Sequence, residues 1–586
     1  VPDGLPSNGR IAAAFDLLGD LLELEGAVRH RVLAYRRGAA RVRAAGESVA
    51  RMALEGRATS LPDIGPTLQA KVVELAETGT MAALDKARAR VPEGLVAVAR
   101  LEGIGPKRAM ALHTHLGVRG TADLRAAVDT GRLADVPGMG RRTAEALAAQ
   151  LAGLGPDGVS ADQRVSLGVA LPLAESLVRD LREEPGVLRA EVAGSLRRGR
   201  ETVHDVDVVV AAEDPAAVFA ALERSLLVER VLSGGEARRA VMTHRGVRVE
   251  VAVAPPARFG NLLQHATGSA AHNVRLREMA VRRGWSVSEH GITREDGALD
   301  VHADEDGVYA ALGLRTPPPE LREDRGELAQ AAGDVPWPDL LRVEDLRGEV
   351  HVHTTWSDGT ASVARMAEAA AARGYAYLGI ADHSQNLAMA GGLSADRVRR
   401  QWEEIEAVNA AMEGRIRVLR CTEMDILADG RLDWDDDLLA GFDVVTASLH
   451  SALGRPGPEV TARLLEAVAS PHVDIIGHPT GRMLERRGHA AVDIARVAEA
   501  AAATGTLLEI NSQPRRLDLD SDMARIALEA GACLVVSSDA HNPDALELVR
   551  FGVIVARRAG ARAADVANTG PWEALVCPGA PRRAAP

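Results

Sequence analysis

The 586-residue sequence predicts a multidomain protein: an all-α N-terminal region, a mixed α/β unit with a helical extension, and a C-terminal α/β barrel-like domain. Three observations carry that prediction. The length suits several domains of roughly 100–200 residues each. Three look-alike Gly turns interrupt Ala- and Leu-rich amphipathic stretches in the first quarter of the chain. Over 346–586, short apolar runs are each followed by a helical pattern. Hydrophobic residues at 46% and charged residues at 26% supply cores and exclude global disorder or a collagen-like chain. No window approaches the roughly 20 uncharged apolar residues of a membrane span. The opening VPDGLPSNGR lacks the basic-then-apolar pattern of a leader, so a soluble, cytoplasmic protein with no membrane partner is expected. Cys421, Cys533 and Cys577 are odd in number and scattered, which excludes a disulfide framework and a Cys-rich zinc ribbon. Any metal must be held by His, Asp and Glu.

In chain order, residues 1–150 carry 21 basic and 17 acidic side chains, net +4, within a chain of net charge −13. Apolar residues at i, i+3 and i+4 predict short helices over 11–154. The turns LPDIGPTLQAKV (61–72), LEGIGPKRAMAL (101–112) and VPGMGRRTAEAL (136–147) share an apolar lead-in, a Gly-containing hairpin and a helix start. A tight turn at a helix start aims backbone N–H groups outward, where they can bind a DNA phosphate without reading bases. Gly65, Gly103, Gly105, Lys107, Gly138 and Gly140 are the candidate DNA-binding residues. From 165 to 255 the texture becomes β-branched, as in VLRAEVAGS, DVDVVVAA and RGVRVEVAVA. There, GSLRRGRETVHDVDVVV (194–210) puts Asp205 and Asp207 on the same face of a strand. A third strand presents Glu250. Three carboxylates around a pair of Mg²⁺ or Mn²⁺ ions are what in-line phosphoryl transfer requires. Residues 257–318 read as mostly helical, and the Pro-containing acidic stretch 319–345 reads as a linker.

In the last domain, YAYLGIAD, FDVVTASLH, VDIIGHP, GTLLEIN and ACLVVSSDA are strands alternating with helices, an arrangement that puts chemistry at the C-terminal strand ends. Those ends finish in His351, His353, Asp358, His383, Glu423, His450, His478, Asp539 and His541. Imidazoles mixed with carboxylates suit zinc, manganese or iron, and so many ligands imply two or three ions with bridging carboxylates. Such a cluster lowers the pKa of a water and clamps phosphate oxygens.

The patterns HVHTTWSDG, ADHS, Glu423-Met-Asp425, SLH, GHPTGR and SDAH resemble the PHP (polymerase and histidinol phosphatase) metallophosphoesterase domain. The resemblance implies a distorted (β/α)7 barrel, a trinuclear site with allowed ligands at all nine positions, and phosphoester hydrolysis, with Arg482 as a candidate phosphate contact. The Gly turns resemble helix-hairpin-helix motifs, although the first has Asp63 where Gly is usual. The Gly-Ser turn with its acidic strand, and FGNLLQHATGSAAHNVRLREMA after it, resemble the palm and thumb of family X DNA polymerases.

The domain order is that of the bacterial members. It implies an 8-kDa-like helical domain with the first hairpin (1–90) and helical fingers with the other two (91–157). A nucleotidyltransferase palm (158–256), a thumb (257–318), the linker (319–345) and the PHP domain (346–586) follow. It further implies that Gly194, Ser195 and Arg198 bind the triphosphate, that Asp205, Asp207 and Glu250 hold the catalytic metals, and that Thr267, Gly268 and Asn273 bind the incoming nucleotide. Arg277 would touch the template. Lys71, on the helix after the first hairpin, matches the Schiff-base lysine of lyase-active members, with Thr67 in place of a basic neighbour. Three departures fall in the polymerase site: His204 for Gly, Glu250 for Asp, and His265-Ala266 for an aromatic pair.

The function implied is DNA repair by a gap-filling polymerase that also carries a PHP 3′-5′ exonuclease or 3′-end phosphodiesterase. Its partners would be dNTPs and DNA with gaps or recessed 3′ ends, in a nucleoid-associated setting. Two alternatives remain: a PHP nuclease whose polymerase half only docks DNA, and a small-molecule phosphatase of the histidinol phosphate kind.

Overall fold

The computed structural model describes residues 5–576 apart from 7, 46–47, 100, 102–103, 137–138, 140, 153–163, 226, 244 and 485–486. The contacts gather into two compact units, one of Val1–Val165, Leu173–Val192 and His204–Pro256, the other of Ser166–Pro172, Ala193–Val203 and Ala257–Pro586. These units do not follow the borders drawn from the sequence.

In the first unit, Gly and Pro set the helix limits. Helix Pro66–Thr78 opens with Pro at its first position and stops at left-handed Gly79. Gly105, at φ +53°, opens helix Gly105–Leu116, which ends at left-handed Gly117. One apolar cluster runs from Ile11 to Leu151, so the helical segments expected on either side of residue 90 share a core. The same unit holds a five-stranded sheet in the order Val187–Val192, Asp205–Ala212, Arg248–Ala254, Arg238–Thr243, Val228–Gly234. Asp205–Ala212 and Arg248–Ala254 pair in parallel, and the other neighbours are antiparallel. Along Asp205–Ala212, Val206 and Val208 are buried while Asp205 and Asp207 are half-buried on the other face.

In the second unit, Leu276, Ile292, Val308, Tyr309 and Leu312 form a thumb core. The stretch 319–345 is not a free linker. Leu328 and Ala331 join that core, Arg322 is fully buried and pairs with Glu305 at 2.5 Å, and Leu341 N–H donates to Ala561 O at 2.9 Å. Proline and acidic residues marked it as a spacer, but two of its acids are committed inside the protein, Glu327 to His272 at 2.6 Å and Glu323 to Arg198 and Arg558 at 3.2 and 3.1 Å. Burial would raise the Glu305 carboxyl, yet Arg322 and Arg197 pull it down to about 2.

The barrel has seven parallel strands in sequential order: Gly348–Val352, Tyr377–Ile380, Arg417–Asp425, Val444–Ser448, Ile475–Gly477, Leu507–Asn511 and Leu534–Ser537. A parallel bridge between Val352 and Ala540 brings the first strand to the chain that leaves the last. This is the expected (β/α)7 architecture. Most of these strands are buried along their whole length, as parallel strands covered by helices must be. Among the described residues, no helix is long and apolar enough to cross a membrane.

Candidate metal centre and nucleotide site

The barrel brings all nine predicted ligands together around Glu423. Its Oε2 faces His383 at 2.9 Å, His351 at 3.4 Å and His353 at 3.6 Å. Its Oε1 faces His478 at 2.7 Å and His450 at 3.2 Å. One carboxylate thus has a separate set of imidazoles on each oxygen, the geometry of a bridging ligand. Asp539 lies 3.2 Å from His353, and Asp358 lies 3.3 Å from His541 and 3.7 Å from His383. Ligand atoms within 4.8 Å of one another form three overlapping groups: His353, Asp358, His383 and His541; His351, His353 and Asp539; His383, Glu423 and His450. Two of the nine residues, His478 at φ 26° and Asp539 at φ 51°, occupy left-handed backbone that L side chains rarely adopt, a strain characteristic of functional sites.

A second layer fixes two of the rings. Glu509 accepts from His351 Nδ1 at 2.6 Å and from the backbone N–H of His478 at 2.5 Å. Asp425 holds His450 Nδ1, and Asn511 Nδ2 donates to Asp539 at 3.1 Å. Carboxylate partners of this kind orient metal-ligating imidazoles. Burial alone would lower the His450 imidazole, but Glu423 and Asp425 raise it to about 9. Burial likewise opposes, and Asp358 and Asp539 outweigh it at, His541, which also lies at about 9. For His353, burial and the neighbouring His383 act together and lower it to about 4. Burial would raise Glu423, yet the surrounding imidazoles hold it well below the carboxylate range. The buried ring nitrogens His351 Nε2, His353 Nδ1 and Nε2, His383 Nδ1 and His478 Nδ1 have no hydrogen-bond partner. Unpaired imidazole nitrogens beside carboxylates fit divalent cations such as zinc, manganese or iron. The cluster opens at Asp358 and His541, whose side chains are 35% and 33% exposed, against 1% or less for His351, His353 and His478.

Arg482 does not reach into this opening. It is buried, with Nε donating to Arg516 O at 2.6 Å, Nη2 to Leu517 O, and Nη1 to Glu201 at 3.1 Å. Its guanidinium is committed to holding the protein together, so we withdraw it as a phosphate contact. Arg516, which sequence reasoning missed, is the guanidinium beside the cluster: its Nε lies 3.8 Å from Asp539 and its side chain is 21% exposed.

The sheet of the first unit aligns Asp207 with Glu250 and Asp205 with Arg248 across its parallel pair. Glu250 accepts from Arg238 Nη1 at 3.0 Å and Arg248 Nη2 at 3.3 Å, so its carboxylate is already neutralised. His204 Nε2 lies 2.7 Å from Arg164 Nη1. In the second unit, Arg198 Nη1 donates to Thr267 O at 2.5 Å and stands 3.1 Å from where a β-carbon on Gly268 would sit. Asn273 bonds His265 O at 2.9 Å, and Arg277 Nη2 lies 3.5 Å from His265 Nδ1. Gly194, at φ +63°, and Ser195 open the short helix Gly194–Arg197. In the helical region Lys71 is half-buried on its helix, Gly65 precedes that helix, and Lys107 is exposed. Gly103, Gly138 and Gly140 lie outside the described residues.

Comparison with known proteins places these pieces. The family model of the helix-hairpin-helix domain matches residues 6–81, that of the SAM-like helix-hairpin-helix tandem 96–152, that of the DNA polymerase beta thumb 262–323, and that of the PHP domain 349–513. A "DNA polymerase/3'-5' exonuclease PolX" of Bacillus subtilis is 36% identical over 550 residues, covering 93% of this chain and 95% of that protein. The chain belongs to the bacterial family X DNA polymerases. A probable phosphatase of Caldanaerobacter subterraneus is 33% identical over 147 residues, but these are 23% of this chain and 55% of that protein. A match to phosphatases over part of the barrel does not extend to the rest of a family X polymerase chain. In that setting, the residues invisible to sequence reasoning are those around the metal cluster. Glu509 and Arg516 stand on or after a strand whose apolar run, GTLLEIN, gave no sign of which side chains face the centre. Asp425 was in view as part of a motif, but its hold on His450 was not.

Proposed function

We propose that this chain is a DNA-repair enzyme with two activities, template-directed gap filling and metal-dependent cleavage at DNA 3′ ends. The observation that carries the second activity is Glu423, with distinct sets of imidazoles on its two oxygens inside a nine-ligand cluster that opens to solvent at one side. The nine residues His351, His353, Asp358, His383, Glu423, His450, His478, Asp539 and His541 hold two or three zinc, manganese or iron ions. Bound there, such ions acidify a water and neutralise a phosphodiester. The chain's own residues do the rest. Asp358 and His541 admit the 3′ end, Arg516 binds a phosphate oxygen, Glu509 and Asp425 keep the rings of His351 and His450 in the required orientation, and Glu509 also anchors the backbone of His478.

For gap filling, Asp205, Asp207 and Glu250 hold Mg²⁺ or Mn²⁺, and Gly194, Ser195 and Arg198 bind the triphosphate. Thr267, Gly268 and Asn273 seat the nucleotide, and Arg277 contacts the template. Gly65, Gly105 and Lys107 grip the DNA backbone, with Lys71 as a candidate lyase nucleophile. A second reading, in which the polymerase half is weak and mainly docks DNA, is favoured by one observation: Glu250 is ion-paired with both Arg238 and Arg248. The test is a pair of double variants on a gapped duplex. Asp205→Asn with Asp207→Asn should abolish extension and spare 3′ shortening, and His351→Ala with His353→Ala should do the reverse. If both doubles left extension and shortening unchanged, the proposal would be wrong.

A further inference from the structure

Glu201 belongs by sequence to the polymerase part, three residues beyond Arg198 and four before Asp205. Its carboxylate nevertheless lies against the barrel. Oε2 accepts from Arg482 Nη1 at 3.1 Å, and Oε1 accepts from Ser521 N–H at 3.1 Å, across 281 and 320 residues of chain. Arg482 in turn gathers the backbone of the segment that carries Arg516. Its Nε donates to Arg516 O at 2.6 Å and its Nη2 to Leu517 O. Asp520 also reaches Arg482, 3.5 Å from Nη1, but Asp520 is shared with His489 at 3.0 Å and with the start of helix Ser521–Glu529.

A second residue of the polymerase part meets the same segment. Gly168 packs so closely on Pro514 that a β-carbon there would lie 2.2 Å from the proline Cβ. The segment from Pro514 to Ser521 is therefore clamped at one end by Gly168 and at the other by Glu201 with Arg482. Between those clamps, Arg516 Nε stands 3.8 Å from the ligand Asp539.

We propose that Glu201 is a positioning residue for the barrel site, contributed by the polymerase part of the chain: it fixes Arg482, which fixes the backbone from which Arg516 reaches a substrate phosphate. This rests on the reading of Arg516 given under the proposed function. The physical reason is the burial of Arg482, whose side chain is 5% exposed. A buried guanidinium that loses the acid it bonds most closely turns toward another acid or toward water, because an uncompensated buried charge is costly. Either movement releases the Arg516 and Leu517 carbonyls and lets Arg516 drift. A misplacement of about 1 Å is enough to affect binding and rate strongly. The barrel site thereby depends on a residue outside the barrel strands and helices.

The test uses the full-length chain carrying Glu201→Ala, Glu201→Gln, Arg516→Ala, or Glu201→Ala with Arg516→Ala. Hydrolysis of thymidine 5′-(p-nitrophenyl phosphate) gives KM and kcat. Titration calorimetry with inorganic phosphate gives a Kd independent of turnover, and elemental analysis gives metal per chain. Glu201→Ala should raise KM and the phosphate Kd by about tenfold, with kcat little changed and metal content intact. Glu201→Gln, which keeps an acceptor for Ser521 N–H, should fall between it and the unmodified chain. In the Arg516→Ala background, Glu201→Ala should add less than about twofold, because both changes act on one group. Full additivity would overturn the positioning role. So would a fall in kcat and metal content with KM unchanged, which marks general damage. If Arg516→Ala raises KM and Glu201→Ala does not, the positioning role alone falls. If Arg516→Ala leaves KM and phosphate binding unchanged, the reading of Arg516 falls first and this proposal with it.

Discussion

The barrel cluster and the sheet that carries Asp205, Asp207 and Glu250 both gather acidic side chains, the two metal sites we propose, but they surround those side chains in different ways. In the barrel, Glu423 is surrounded by five imidazoles, and two of those rings, His351 and His450, are held from behind by Glu509 and Asp425. On the sheet, Glu250 is already bonded to Arg238 and Arg248, and Asp205 and Asp207 are only half-buried. The barrel keeps unsatisfied ring nitrogens in a buried pocket, an arrangement that is costly without a cation. The sheet instead carries arginines that stand in for a cation at its third carboxylate. The difference teaches that a set of ligands is not yet a site: what surrounds each ligand decides how readily it takes up a metal.

Removing the bridge should have the largest effect. Glu423→Gln keeps the shape but loses the shared charge, and should slow 3′-end hydrolysis on the order of 10³-fold while lowering metal per chain. Turnover within tenfold of the unmodified chain would remove Glu423 from the centre of the reaction.

A smaller effect is expected one layer out. Glu509→Gln should weaken metal binding by about 10- to 100-fold in a chelator competition, with the fold intact, and so make the barrel behave more like the sheet. An unchanged metal affinity would mean that ring orientation does not depend on this carboxylate.

The smallest change should move the sheet toward the barrel. Arg238→Ala together with Glu250→Asp frees and shortens the third carboxylate, and single-turnover extension of a gapped duplex should rise about tenfold. No rise would mean that the arginine pairs do not limit the polymerase site.

Much of the barrel was legible because each parallel strand is a short apolar run that ends in a polar ligand, as in FDVVTASLH before His450 and ACLVVSSDA before Asp539. Periodicity also places Asp205 and Asp207 on a common face, and the parallel register then sets Asp207 beside Glu250. Side-chain direction on loops was not legible. Arg482 follows His478 by four residues, yet it turns into the protein toward Glu201, a partner 281 residues away that no local pattern could indicate. The stretch 319–345 misled for a related reason: its acids and prolines look solvated in sequence, while Glu327 pairs with buried His272 and Glu323 with Arg198 and Arg558, partners 55, 125 and 235 residues away.

The central claim, that one chain both extends and trims DNA 3′ ends at separate centres, is tested most directly with a one-nucleotide gapped duplex labelled at the primer 5′ end. The purified protein is supplied with Mn²⁺, with and without dNTPs. Shortening of the primer without dNTPs and its extension with them is the predicted result. Neither shortening nor extension, in protein that carries its full complement of metal, would contradict it.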